Sequence, residues 1–358
     1  MVTADIIKIL FPAAIAFFVG IAITPALSGW LYRNKIWKKK SGKVDLSGNA
    51  TPLFNALHKE KDTNTPRMGG VIIWGSVLLT VVIVWILSLF FPNELTGKLN
   101  FLSRSQTWLP LFTLIAASLL GLVDDWLQVR GSEDHVSGGL SLKKRMFVVL
   151  LISFVGAWWF YYKLGISSVG IPFMEAIDLG VLFIPFFMIV TLGLFSGAVI
   201  DGIDGLAGGV MAIIFASYAG IAFFQHQIDL AAFSATVAGG TLAFLWFNIP
   251  PARFYMSETG ILGLILTLSV VAFMTDTLGE GHGVLALAFI AAPLWITTLS
   301  VIIQVLSKKL RGGKKVFLIA PLHHHFEAMG WPAYKVTMRY WVITMVLSLL
   351  GLIVALLG

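Results

Sequence analysis

The stretch LGVLFIPFFMIVTLGLFSGA, residues 179–198, contains no charged side chain in twenty positions. Wound as an α-helix it is about 30 Å long, the thickness of the hydrocarbon core of a bilayer. Nine further apolar runs recur along the chain, at 6–32, 68–91, 108–127, 145–163, 203–224, 231–248, 260–276, 283–306 and 336–357. Hydrophobic residues make up 58% of the 358 and charged ones 12%, with a mean hydropathy of +0.88. That balance excludes an ordinary soluble globular chain. Lipid offers the backbone no hydrogen-bond partners, so only helices or closed barrels span it, and runs this long are helices. The expected fold is all-α: one polytopic membrane domain over residues 1–358 with about ten transmembrane helices and no soluble domain.

Basic residues set the expected orientation. Nine lie between Arg33 and Lys61–Arg67, among them Lys35, Lys38, Lys39, Lys40, Lys43 and Lys59; four lie at Arg130 and Lys143–Arg145. Arg253 and seven residues from Lys308 to Arg339 complete the set, so 21 of 25 fall on one side of the ten-span topology. Lys8, Lys98, Arg104 and Lys163 remain on the other. The rich side is expected to be cytoplasmic and both termini outside. The net charge of +7 is accounted for by these loops and by attraction to anionic headgroups, and no nucleic-acid motif accompanies it. The first span is too long for a signal peptide and lacks an A-x-A site, so it is expected to be retained. With no cysteine, disulfide and thiolate chemistry are excluded. Residues 166–178, with Gly165, Gly170 and Pro172 among β-branched residues, suggest a short external hairpin.

Carboxylates at membrane helices are costly and usually have a partner or a task. Asp124-Asp125 close the third span; two adjacent like charges suit metal binding, proton uptake, or a plain hydrophilic helix end. Asp201-Gly202-Ile203-Asp204-Gly205 puts two carboxylates on one helical face, with glycines that admit a close backbone or ligand. Glu258 follows a loop in which Pro250-Pro251 breaks the preceding helix. Asn248, Arg253 and Tyr255 in that region offer an amide, a guanidinium and a ring. His323, His324 and His325, beside Glu327, serve as metal ligands, a phosphate clamp or acid/base groups. Consecutive helical side chains point about 100° apart, so one or two of them are expected to reach substrate while the others hold the loop. Carboxylates, amide, histidines and cations at one face suit phosphoryl transfer with Mg²⁺.

Thr65-Pro66-Arg67-Met68-Gly69-Gly70, Asp124-Asp125, Asp201-Gly202-Ile203-Asp204-Gly205, Trp246-Phe247-Asn248 and Ala320-Pro321-Leu322-His323-His324-His325 occur in the order and spacing of one family. Over its full length the chain resembles the phospho-N-acetylmuramoyl-pentapeptide transferase (MraY) family, within the polyprenyl-phosphate hexosamine-1-phosphate transferases. The resemblance implies a ten-helix fold, often dimeric, in the bacterial inner membrane with a cytoplasmic cleft. It implies transfer of phospho-MurNAc-pentapeptide from UDP to undecaprenyl phosphate, giving lipid I and UMP with Mg²⁺. By the same resemblance Asp124 accepts or orients the proton of the lipid phosphate, and Asp125 and Asp201 shape the cleft. Asp204 contacts uracil, Tyr255 stacks on it, Asn248 and Lys143 bind substrate, Glu258 binds the metal, and His323–His325 contact phosphate or support the cleft.

The chain departs from the family at three places. Asp201-Gly202 is preceded by Phe195-Ser196-Gly197-Ala198-Val199-Ile200, without the two asparagines usual there. Tyr255-Met256-Ser257-Glu258-Thr259-Gly260-Ile261 stands where the family writes Phe-Met-Gly-Asp-x-Gly-Ser. Asp62, beside Lys61, replaces a basic residue. Two other readings follow: a sibling transferring a different hexosamine-1-phosphate, against which the triple histidine argues, or a catalytically degenerate membrane binding protein. A transporter fits poorly, because the polar residues gather at one face and not at the bilayer midplane.

Overall fold

A computed structural model describes residues 2–37, 64–131 and 139–357. Lys38, Lys39, Lys40, Lys43, Lys59, Lys61 and Asp62 lie outside the described residues. Thirteen α-helices follow in chain order: α1 (Val2–Arg33), α2 (Val71–Phe90), the short α3 (Glu94–Leu99), α4 (Trp108–Arg130) and α5 (Leu142–Trp158). After a π turn come α6 (Phe183–Ser196), α7 (Leu206–Phe224), α8 (Ile228–Asn248), α9 (Ser257–Met274), α10 (Gly283–Ile290), α11 (Ala292–Leu310), α12 (Leu322–Ala328) and α13 (Ala333–Leu356). Nine spans are single helices, and α10 with α11 forms the tenth, bent by 64°. The reason for the bend is Pro293 in the first turn of α11. It has no N–H to give, and its ring would strike the carbonyl four residues back in a continuous helix. The run at 283–306 is therefore one crossing made of two pieces.

Helices α7, α8 and α9 form the inside of the bundle, and Glu258 alone among the 18 residues of α9 is not buried. Lipid gives no hydrophobic drive for helices to associate, so close packing by small residues has to hold them together. A Cβ on Gly239 of α8 would strike the carbonyl of Ala13 in α1, and one on Gly263 of α9 would strike the Ser118 hydroxyl in α4.

The bundle has two polar ends. At one, the ends of α4 and α8 meet the starts of α2, α5, α7, α9 and α13. At the other, about 27 Å away along the 18 residues of α9, β1 (Ser168–Val169) and β2 (Ile177–Asp178) pair antiparallel as the expected hairpin. Buried Asp276 docks this hairpin: its carboxylate accepts the N–H of Gly170 at 2.6 Å and of Val284 at 2.9 Å. Burial pushes its carboxyl above the ordinary 3.8, while the backbone donors and His282 pull the other way. A folded pKa above the unfolded one means that Asp276 contributes most stability in acid and loses it as pH rises through the raised value. Asp276→Ala leaves two amides without an acceptor and should destabilise the protein by about 2–3 kcal/mol. Hydrogen exchange at Gly170 should rise sharply, with transfer at the opposite end unaffected.

Candidate active site

The last turn of α4 aims two carboxylates into the bundle. Asp124 and Asp125 are both fully buried, and Gln128, one turn on, shares a face with Asp124. Asp124 accepts from Gln128 Nε2 at 2.7 Å, from the Leu140 N–H at 2.6 Å, and from Arg145 Nη2 at 2.7 Å. Arg145 rises from the first turn of α5 and extends its other arm, Nη1, to Glu258 Oε1 at 2.6 Å. One guanidinium thus bridges two carboxylates that lie 134 residues apart in the chain, a geometry that suits its planar fork and not an ammonium. Arg67 Nε reaches Asp125 Oδ1 at 3.4 Å.

The start of α9 gathers the motifs. A helix N-terminus leaves N–H groups without partners and carries partial positive charge. Asp125 Oδ2 takes the Thr259 N–H at 2.9 Å, and Asp201 Oδ2 takes the Ser257 N–H at 3.0 Å. Two aspartates from two other elements therefore cap the turn that bears Glu258. Glycine allows this approach: a Cβ on Gly121 of α4 would fall on the carbonyl of Glu258, and one on Gly70 would fall on the backbone of Gly260. The strand-like segment before α9 is pinned as well, since Tyr255 donates to Pro66 O at 2.8 Å and accepts from the Gly69 N–H at 2.9 Å.

Asp204 and Asn248 order the neighbouring loop. Asp204 Oδ2 accepts the Ala252 N–H at 3.2 Å. Buried Asn248 accepts from Gly205 N through Oδ1 and donates to Phe254 O through Nδ2, both at 2.9 Å, tying the second aspartate motif to the loop before α9. The three histidines lie on the seven-residue α12 and point in three directions. His324 Nδ1 pairs with Glu327 Oε2 at 2.6 Å, and His325 Nδ1 accepts the Leu318 N–H at 3.2 Å. His323 is buried against Gly202, where any side chain would collide with its ring. Asp124, Asp125, Asp201 and Glu258 thus form one cluster, with Asp204, Asn248 and Tyr255 beside it and His323 on its second-motif flank.

Lys143 is not drawn into this cluster. It stands exposed in the first turn of α5, and Arg145, two residues on, makes the contacts. Sequence reasoning counted Arg145 only as a topogenic charge and gave Gly121 and Thr259 no role. In Lys143-Lys144-Arg145 three cations point in three directions, and nothing in the sequence says which one faces inward.

Ser257 occupies the place of the family's glycine with φ 58°, the left-handed region that suits glycine. Ser257→Gly should stabilise the protein by about 1 kcal/mol, since a side chain there strains the backbone. A raised midpoint of thermal unfolding in detergent, with activity kept, is the expected result.

A multi-pass bundle with carboxylates, arginines and histidines converging at one end defines an integral-membrane transferase of phosphorylated sugars, and residues 107–276 match glycosyl transferase family 4. The chain is 33% identical over 348 residues, 96% of its length and 97% of the relative, to the phospho-N-acetylmuramoyl-pentapeptide-transferase of Anoxybacillus flavithermus. It is 31% identical to the protein of that name in Bacillus subtilis, again over 96% of this chain and 97% of the relative. With the Geobacillus sp. protein it shares 36% over 82% of this chain and 84% of the relative. The chain belongs to the phospho-N-acetylmuramoyl-pentapeptide-transferase family.

Proposed function

We propose that this protein transfers phospho-MurNAc-pentapeptide from its UDP carrier to undecaprenyl phosphate, giving lipid I and UMP for peptidoglycan synthesis. The observation that carries the reading is the convergence of Asp124, Asp125, Asp201 and Glu258 with Arg145 and Arg67 at one end of a family-matched bundle. An oxygen of the lipid phosphate attacks the phosphorus that bears the sugar. The new P–O bond forms in line with the one that breaks, and the bridging oxygen leaves on UMP. A phosphate monoester has its second pKa near about 6, so at neutral pH the acceptor is largely the dianion and no base has to strip it. The task of the protein is to hold two anions together. Arg145 and Arg67 supply positive charge, and the carboxylates fix where those charges lie. Asp204 and Tyr255 are placed to receive the uracil, and His323–His325 to line the phosphate side.

Mg²⁺ fits the residues present. Four carboxylates against two guanidiniums leave two formal negative charges in the cluster, which call for a cation. Among the described residues no three His, Asp or Glu groups form a metal cage. Mg²⁺ binds through one or two carboxylates and completes its shell with water and substrate phosphate. Glu258, with Asp124 or Asp125 beside it, would hold the ion, which when bound neutralises charge on the pyrophosphate. Glu258→Gln should raise the Mg²⁺ needed for half-maximal activity by more than about tenfold, because one anionic oxygen donor is lost. Unchanged Mg²⁺ dependence would move the metal away from Glu258.

The cluster is placed at the cytoplasmic face of a bacterial inner membrane, the side that holds UDP-sugars. The deciding experiment gives purified protein UDP-MurNAc-pentapeptide and undecaprenyl phosphate, with and without Mg²⁺, and follows UMP. Release only with UDP-N-acetylglucosamine would make it a sibling transferase. No release with either donor would make it a membrane binding protein.

A further inference from the structure

An apolar groove of about 480 Å³ opens between α1, α2 and α4 at the polar end that bears the carboxylates. Leu27, Leu31, Met68, Val123, Trp126 and Leu127 are among its walls, and no polar surface lines it. All three helices are long and apolar enough to cross a membrane, so the groove lies within the hydrocarbon layer. Its inner end runs into the site: Met68 follows Arg67, which contacts Asp125, and Val123 and Trp126 flank Asp124-Asp125. Its outer edge is cationic. The Arg130 guanidinium lies 4.6 Å over the Trp126 ring, and Arg33 stands exposed at the end of α1.

We infer that this groove seats the isoprenoid chain of the acceptor lipid and sets the approach of its phosphate to the Arg67–Asp125 pair. The inference rests on the acceptor proposed above. Continuity and charge select this occupant. A polyprenyl phosphate is a single apolar chain ending in a dianion, which matches an unbranched apolar slot with arginines at its mouth and the reaction cluster at its inner end. A diacyl phospholipid brings two chains and a glycerol, and its phosphodiester has one charge and no terminal oxygens to present. Occupancy of the groove would also explain why a lipid-facing surface here carries two tryptophans, Trp30 and Trp126, whose rings give large contact area with little freedom to lose.

The test has a binding arm and a kinetic arm. A photoreactive benzophenone residue replaces Val123 in the groove or, as control, Val346 on α13; both side chains are 54% exposed. With undecaprenyl phosphate in detergent micelles, cross-linking is expected at 123 and not at 346, and phosphatidylglycerol should not displace it. Separately, Leu27→Trp and Val123→Trp, which fill the slot, should raise KM for undecaprenyl phosphate by about tenfold or more while leaving KM for the UDP donor unchanged. Equal labelling at both positions, or equal uptake of phosphatidylglycerol at 123, would make the groove ordinary lipid-facing surface and overturn the inference. An unchanged KM in both tryptophan variants would overturn it as well. Cross-linking is read whether or not transfer occurs. Specific labelling without UMP release would sink the proposed reaction and leave the groove assignment standing, while UMP release with unspecific labelling would do the reverse.

Discussion

Asp124→Asn protein is expected to fold and to release UMP about 10²–10³-fold more slowly than the native protein, the usual effect of removing one charged group from a preorganised site. Folding survives because the amide keeps the shape of the carboxylate. Its oxygen can still accept from the Leu140 N–H and from Arg145 Nε, now at 2.6 and 3.2 Å. Its new NH₂ meets Gln128, whose own amide can turn to offer oxygen. Only the contact with Arg145 Nη2, at 2.7 Å, becomes donor against donor. Rate is lost because Asp124 no longer holds one arm of Arg145 and the cluster loses a negative charge that retains its cation. The pH profile separates this from proton abstraction. A missing general base would be compensated above the second pKa of the acceptor, whereas a misplaced Arg145 would leave the variant slow at pH 9. UMP release within a few-fold of native at neutral pH would remove Asp124 from the mechanism.

Arg145→Met is expected to have the larger effect on stability. Asp124 is buried, Glu258 is mostly so, and the Arg145 side chain is only 17% exposed. Breaking such a pair from one side leaves charge stranded and costs about 3–5 kcal/mol. Transfer should vanish and thermal unfolding in detergent should move down. Added Mg²⁺ should restore more of the transition in the variant than in the native protein, because the formal charge of the cluster goes from two negative to three. Arg145→Lys should fall between the two: it keeps the charge, but one ammonium cannot span both carboxylates. A Met variant that unfolds at the native temperature would show that the bridge contributes nothing to the fold.

The ten crossings were legible because each must fill the same thickness of hydrocarbon, and that demand is written in run length and charge. The bend within the last crossing but one was hidden by its uniform hydropathy, although Pro293 was the sign of it. The aspartates and Glu258 were legible because a carboxylate near lipid needs a reason. The divergence of the three histidines followed from the helical step alone. Arg145 was not legible. It sits in a run of like charges that topology already explained, and its partners come from α4 and α9, which only the fold brings together. Gly121 and Gly70 looked like ordinary packing glycines, and that both press on the turn bearing Glu258 is a property of the tertiary structure. Ser257 was visible as a departure from the family motif, but its left-handed backbone was not.

The contacts at Gly121 and Gly70 make one wall of the site stiff. Backbone rests directly on backbone there, with no side chain between to rotate or compress, so the first turn of α9 has a fixed shape whether or not a substrate is present. The opposite wall, α12, is seven residues long and is held by side-chain contacts such as His324–Glu327 and the Leu322 N–H on Ser300 Oγ at 2.9 Å. Entry of the donor and escape of UMP must then use the histidine side. For inhibitor design the two walls pose different problems. A compound shaped against the carboxylate wall meets the same surface at every stage of turnover, and its fit can be refined as against a rigid mould. One that depends on the histidines has to follow a wall that yields each time the enzyme turns over.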